Sequence, residues 1–329
     1  MSARRKQMTG WLESIGYHDY TLSQASEDAS FRSYHRLECG DESWIVMDAP
    51  PQKEACDSFI SVAEKLRAAR LSAPEVIAQN LEQGFLLLTD FGTTSYLCAL
   101  NANTEGPLYA DALGALLQMQ LGVDSHDLPR YSETLLLAEM DLFREWFLER
   151  LFGIELNQAQ LVQWHSLREI LLNNALQQPQ VFVHRDYHSR NLMQLGQGNP
   201  GILDFQDAVK GPVTYDLVSL LRDCYINWPA VRVEQLALDY YELARVNELL
   251  DVGAAQFMRW FNLMGVQRHL KAIGIFSRLN LRDGKTGYLK DIPRTLDYLR
   301  QVSTEEKSMV GLYALISELS LSLRVKSLL

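Results

Sequence analysis

The sequence predicts an α+β protein in two lobes. A small lobe of antiparallel strands with one main helix comes first, and a larger, mostly α-helical lobe follows. Three observations lead there. Short apolar runs broken by polar turns occupy residues 20 to 48 and 76 to 88. From about residue 93 the apolar spacing changes to the three-and-four pattern of helices. No repeat, low-complexity tract or linker divides the 329 residues, which suffice for two lobes, placed here at 1–92 and 93–329.

The elements follow in order. Phe31, Tyr34 and Leu37 flank a polar turn at Glu27 to Ser30, and Trp44-Ile45-Val46-Met47 is a compact strand stopped by Pro50-Pro51. Residues 53 to 70 place Phe59, Val62, Ala63, Leu66 and Ala69 on one helical face. Pro74 precedes a strand at Val76-Ile77, and Phe85 to Leu88 reads as a buried strand. Ser132 and Glu133 then open a helix whose Leu136, Met140, Phe143, Phe147 and Leu151 share a face, closed by Gly153. Another helix spans 158 to 177, short strands lie at Val181 to Val183 and Gly201 to Leu203, and 215 to 329 are mostly helical.

Composition bounds the function. Hydrophobic content of 47% with 22% charged residues is that of a soluble globular protein. A net charge of −10 and a pI near 5.2 argue against a nucleic-acid groove or an anionic membrane surface. No run is long enough for a membrane span, and the basic start lacks the apolar run of a secretory signal. Cys39, Cys56, Cys98 and Cys224 form no Cys-x-x-Cys pair, which fits reduced thiols in the cytoplasm. No obligatory protein partner is implied.

The chemistry sits in two segments, His184-Arg185-Asp186-Tyr187-His188-Ser189-Arg190-Asn191 and Ile202-Leu203-Asp204-Phe205-Gln206-Asp207. Each emerges from a short strand, and Asn191 and Asp204 are thirteen positions apart. A lone loop aspartate is usually a turn residue or a helix cap. Three such residues at this spacing are the set that phosphoryl transfer from a nucleotide needs. Asp186 is the candidate base, and Asn191 and Asp204 the candidate magnesium ligands. His184 and Arg185 are expected to brace the loop, and Asp216 to cap its helix and bond the same loop.

Two look-alikes are set aside. Asp90-Phe91-Gly92 precedes the catalytic segment by almost a hundred residues and follows the strand ending at Leu88, where a connector between lobes belongs. There, backbone groups at Leu88 and Asp90 would meet the adenine. Gly284-Lys285-Thr286 lacks the earlier glycine of a phosphate loop, since Leu279 stands there, after a helix.

With these motifs the chain resembles the aminoglycoside phosphotransferase and choline kinase family, over nearly its whole length. That resemblance implies the two-lobed protein-kinase-like fold. It is most similar to the branch of bacterial kinases that phosphorylate the C1 hydroxyl of N-acetylmuramate and N-acetylglucosamine with ATP and Mg2+ in peptidoglycan (cell wall) recycling. The carriers are Ala29-Ser30-Phe31-Arg32-Ser33-Tyr34, Val46-Met47-Asp48-Ala49-Pro50-Pro51, Asp204 through Asp223, and Gln267-Arg268-His269-Leu270-Lys271 through Lys285.

Only twelve positions separate Asp204 from Asp216, too few for the segment with which a protein kinase docks a peptide, so the acceptor is a small molecule. The small lobe departs from the usual pattern, with Met47 where a phosphate-holding lysine is expected and no glycine-rich turn. Arg32 or Lys53 is the candidate substitute; Glu54 resembles the glutamate that would pair with the missing lysine. Of the cations Arg268, His269, Lys271, Arg278, Arg282 and Lys285, most are expected on a solvated helix face. Arg268, Lys271 and Arg282 are the candidate sugar contacts, since a lactyl carboxylate favours Arg or Lys. Two other readings stay open: an aminoglycoside, choline or related amino alcohol as acceptor, and a nucleotide-binding scaffold without activity.

Overall fold

The computed structural model describes residues 3–27 and 31–326, so the core of the expected turn, residues 28–30, lies outside the described residues. The chain divides into two compact units, Met1–Thr104 with Arg190–Asp207, and Glu105–Ser189 with Ala208–Leu329. The expected lobes are continuous stretches of chain; these units interleave.

In the first unit β1 (Thr21–Glu27), β2 (Ser33–Cys39), β3 (Glu42–Asp48), β4 (Val76–Asn80) and β5 (Phe85–Thr89) form one sheet in the order β1-β2-β3-β5-β4. Every neighbouring pair is antiparallel. Residues directly opposite point to the same face, so the register defines two faces. Tyr34 lies opposite Met47, Met47 opposite Leu86, and Ile45 opposite Leu88, which puts these five on one face. Leu37, Val46, Phe85 and Leu87 take the other, together with Met8, Trp11 and Leu12 of α1 (Ala3–Ser14). Trp11 stacks on Phe85 at 5.6 Å. Each such buried side chain contributes about 1.5–3 kcal/mol by leaving water.

Helix α1 is absent from the sequence reading, because its apolar residues cover barely one turn within a basic stretch. Beside the expected helix, α2 (Asp57–Ala68), the first unit thus carries α1 and the single turn α3 (Tyr96–Ala99). Helix α2 also starts later than residue 53. The N–H groups of Lys53 and Glu54 both turn back to the Pro50 carbonyl, at 2.9 and 3.0 Å, so this stretch is a turn and the helix begins only after Cys56.

The short hairpin β7 (Leu192–Met193) and β8 (Gly201–Ile202) belongs to this unit because its backbone bonds into it. Ile202 N–H donates to the Ser72 carbonyl at 2.7 Å and Gln194 N–H to that of Thr94 at 2.8 Å. Phe91 lies so close to Gly201 that a Cβ there would stand 2.7 Å from its ring. The phenylalanine of the look-alike motif thus seats the hairpin.

The second unit is built from α4 (Glu105–Gly122), α5 (Glu133–Leu142), α6 (Gln158–Leu176), α7 (Tyr215–Leu221), α8 (Ala230–Val246), α9 (Ala254–Asp283), α10 (Ile292–Glu305), α11 (Val310–Glu318) and α12 (Leu321–Lys326). A two-stranded ladder pairs β6 (Gln180–Val183) with β9 (Val209–Pro212), antiparallel. Ser132 accepts the Leu135 N–H as the N-cap of α5, and Asn157 and Gln160 cap α6 reciprocally. After Leu142 the first of these helices continues as a π-helical stretch, Phe143–Leu151, ended by Gly153 in the left-handed region. Leu136, Met140, Phe143 and Phe147 are buried as expected, with Leu151 packed beside them.

Helix α9 is thirty residues, about 45 Å, long and packs against α5, α6, α7, α8 and α10. So enclosed a helix has little solvated face, and this corrects the expectation for its cations. Arg268, His269 and Lys271 are only 6%, 1% and 8% exposed. Gly284 closes α9 in the left-handed region, which accounts for the Gly-Lys-Thr sequence there. Among the described residues no helix is long and apolar enough to cross a membrane.

Candidate active site

The loop that carries Asp186 leaves β6 at Val183 and is held by backbone bonds to buried carboxylates. Asp216, in the first turn of α7, accepts the N–H of His184 at 2.6 Å and of Arg185 at 3.0 Å. It bonds the loop as expected but does not cap α7 with its side chain. Burial pushes its carboxyl up to about 7, against the pull of those two donors. Arg185 sits at φ 77°, costly for a residue with a Cβ, and the Asp216 clamp holds it there. His184 Nδ1 accepts the Asp186 N–H at 3.2 Å, so this histidine shapes the loop. Asp223 accepts the Ser189 N–H at 3.0 Å and its hydroxyl as well.

Around Asp186 the second unit gathers cations that sequence spacing placed far apart. Glu139 of α5, 5% exposed, pairs with Arg185 Nη2 at 2.6 Å and Lys271 Nζ at 3.0 Å and accepts the Tyr131 hydroxyl. Burial alone would raise the Glu139 carboxyl, but Lys271 and Arg185 outweigh it and hold it below the ordinary range. Burial opposes ionisation of Asp186 in the same way. Lys271, His188, Arg268 and His184 overcome it, so the carboxyl lies below its usual value. A cavity opens here, lined by Asp186, His188, Tyr225, Arg268, Lys271 and Phe276 among others. Arg282 is not part of it. It lies exposed at the end of α9, paired with its neighbour Asp283 at 2.8 Å.

Asn191 and Asp204 meet in the first unit. Asn191 Nδ2 donates to Asp204 Oδ2 at 3.2 Å, and Gln206 Nε2 donates to Asp204 Oδ1 at 2.8 Å. Asp204 stands at φ 63°, a conformation tolerated best by aspartate and asparagine among side-chain-bearing residues. Gln206 Oε1 is buried without a hydrogen-bond partner among the described residues. A carboxylate beside amides whose oxygens can turn to a ligand is the oxygen-rich set that suits Mg2+.

Beside the sheet strands of this unit, in the segments before β2 and α2, the two candidate cations behave differently. Arg32 is 8% exposed and its Nη2 lies 2.8 Å from Glu54 Oε2. Lys53 instead places its ammonium 4.2 Å over the exposed Phe31 ring. Met47 is fully buried, and Leu88 is buried nearby on the same face of the sheet. The Asp90 carboxylate is taken by Arg36 at 2.6 and 3.0 Å and by the Gly92 N–H at 2.8 Å. Its side chain therefore fixes the turn that follows β5.

Sequence reasoning missed Glu139, Gln206 and Arg36. Glu139 carried a signal: it falls three residues after Leu136 and one before Met140, a charge on the flank of an apolar stripe. Arg36 and Gln206 carried none, since an arginine in a strand and a glutamine after a motif are ordinary.

Solved structures share this architecture. The choline kinase LicA from Streptococcus pneumoniae superposes with a TM-score of 0.65 at 12% identity, covering 91% of this chain and 100% of that one. An ADP-bound aminoglycoside phosphotransferase gives 0.59 at 15%, covering 91% and 98%. The fold is thus the two-lobed kinase-like α+β fold. A profile described as the phosphotransferase enzyme family matches residues 21–249, and the chain belongs to that family. It is 45% identical over 305 residues to an N-acetylmuramate/N-acetylglucosamine kinase of Pseudomonas putida, covering 92% of this chain and 90% of that protein. A kinase of the same name from Neisseria meningitidis is 42% identical over 327 residues, covering 96% of both.

Proposed function

We propose that this phosphotransferase moves the γ-phosphoryl group of ATP to the anomeric C1 hydroxyl of an amino sugar, N-acetylmuramate, N-acetylglucosamine or both. The observation that carries the reading is the Asp186 carboxylate in a cavity it shares with the buried cations Arg268 and Lys271. Asp186, kept ionised by its cationic surroundings, would orient the acceptor hydroxyl and take its proton as that oxygen attacks phosphorus in line. An anomeric hydroxyl is more acidic than an ordinary alcohol, which lowers the demand on the base. Asn191 and Asp204 would hold Mg2+, which neutralises phosphate charge when bound. Arg32, fixed by Glu54, would hold the phosphates in place of the lysine that Met47 replaces, and backbone groups at Leu88 and Asp90 would meet the adenine. In this reading residues 1–92 form the nucleotide lobe and 93–329 the catalytic and acceptor lobe.

The product would be a sugar 1-phosphate, ready for activation as a nucleotide sugar, as cell wall recycling in the cytoplasm requires. An aminoglycoside or choline fits less well, because a cationic acceptor would enter a cavity already lined by two buried cations. Mg2+-dependent ADP release measured over a panel of acceptors tests the reading. N-acetylmuramate and N-acetylglucosamine should be turned over at least tenfold more efficiently than choline or kanamycin, a difference of about 1.4 kcal/mol in transition-state binding. Faster turnover of choline or kanamycin overturns the acceptor class, and no stimulation by any acceptor points to the inactive scaffold.

A further inference from the structure

We propose that Arg268 is the side chain that reads a carboxylate on the acceptor, and so sets the preference between two amino sugars that differ by one. This rests on the amino-sugar reading above and deepens it. N-acetylmuramate is N-acetylglucosamine carrying a lactyl ether, so the two differ by one carboxylate and a short apolar arm.

Three cations cluster in the second unit, and two are already matched. Arg185 lies 2.6 Å and Lys271 3.0 Å from the same Glu139 carboxylate. Arg268 is different. It is 6% exposed, and among the described residues no carboxylate lies within ion-pair distance of it. Its one hydrogen-bond contact is weak, Nη1 to the Cys224 thiol at 3.9 Å, and its Nε is buried without a partner. Burial works against its charge, but Cys224, Tyr215, Asp186 and Asp223, acting through space, outweigh it and keep it charged.

A buried guanidinium left in that state is costly unless an anion completes it. Its planar fork matches a carboxylate in two parallel hydrogen bonds, which an ammonium cannot supply. The surroundings select the kind of anion. Tyr225, Ala272, Ile275 and Phe276 line the same cavity, an apolar wall suited to a sugar ring and the methyl of a lactyl arm rather than to a polyphosphate. Asp186 lines it too, so one bound sugar can offer its hydroxyl to the base and its carboxylate to Arg268.

The experiment compares kcat/KM for the two sugars at saturating MgATP in wild type, Arg268→Gln and Arg268→Lys. The ratio of N-acetylmuramate to N-acetylglucosamine should fall by roughly tenfold to a hundredfold in Arg268→Gln, the range for losing one charge-assisted contact. The lysine variant should recover part of the fall. Loss that is equal for both sugars overturns the proposal and assigns Arg268 to a shared part of the reaction. An unchanged ratio overturns it as well.

If the glutamine variant does not fold, the wild type alone decides. The methyl ester of N-acetylmuramate should be about as poor a substrate, relative to the acid, as the variants would predict; an ester as good as the acid rejects a carboxylate contact. The wild-type acceptor panel reports separately on the kinase reading.

Discussion

Arg32 immediately precedes β2, two positions before Tyr34, the residue opposite Met47. Its 2.8 Å pair with Glu54 gives the proposed nucleotide cation a fixed position. Arg32→Gln should weaken MgADP binding by roughly tenfold to a hundredfold, and Glu54→Gln by less, since it only loosens the arginine. Lys53→Gln should change it little; calorimetry showing the larger loss in the Lys53 variant would reverse the assignment. Residues like these mark the limit of what the sequence discloses. Asp186, Asn191 and Asp204 were legible because strand ends and spacing are local. Glu139 was not, because the partners that justify burying a charge, Arg185 and Lys271, come from other elements. Arg268 was legible as a cation but not as a buried one, because the helices that enclose α9 lie far from it in sequence.

Elements were legible where their own ends specify them. Ser132, Asn157 and Gly153 set helix limits through bonds and dihedral angles that involve only near neighbours. Where a distant group decides, the reading slipped: α1 needs the sheet face under Trp11, and α2 is delayed by the turn on Pro50. The crossing of α9 and α5 is a decision of this kind. A Cβ on Gly274 would stand 2.4 Å from the Leu142 carbonyl carbon, backbone that cannot swing aside, next to the point where the π-helical stretch begins. Gly274→Ala should therefore destabilise the protein by about 1–3 kcal/mol, even though alanine is the better helix former. Gly265→Ala makes the comparison: its one close contact would be the tip of Arg222, at 2.9 Å, with Val218 at an ordinary 3.8 Å. A denaturant midpoint lowered no more by Gly274→Ala than by Gly265→Ala would show that the helices separate freely at this crossing.

At the scale of the whole molecule, two buried groups give stability opposite pH slopes. His269, stacked on Tyr298 at 4.8 Å and donating Nε2–H to the Arg222 carbonyl at 2.9 Å, is pushed by burial from 6.5 down to about 3. Its contribution is complete above the unfolded value of 6.5 and is lost as pH falls toward 3, at about 1.4 kcal/mol per pH unit. Asp216, raised from 3.8 to about 7, runs the other way: its contribution is complete below 3.8 and is lost as pH rises toward 7. Replacing His269 with Gln removes one slope. The stability lost by that variant, measured by urea unfolding, should be about 2 kcal/mol smaller at pH 5 than at pH 7. A loss independent of pH would mean that the imidazole titrates normally in the folded protein.

The interleaving of the two units has a consequence for the order in which the protein can be made. The first unit draws on Arg190–Asp207, whose hairpin supplies the N–H donors for the Ser72 and Thr94 carbonyls. A chain emerging from the ribosome cannot finish that unit until residue 207 is out, well after Glu105–Ser189 of the other unit has been synthesised. The segment that brings Asn191 and Asp204 together is also the last piece of its unit to arrive. Completion of that unit and assembly of the candidate metal pair are then the same late event in synthesis.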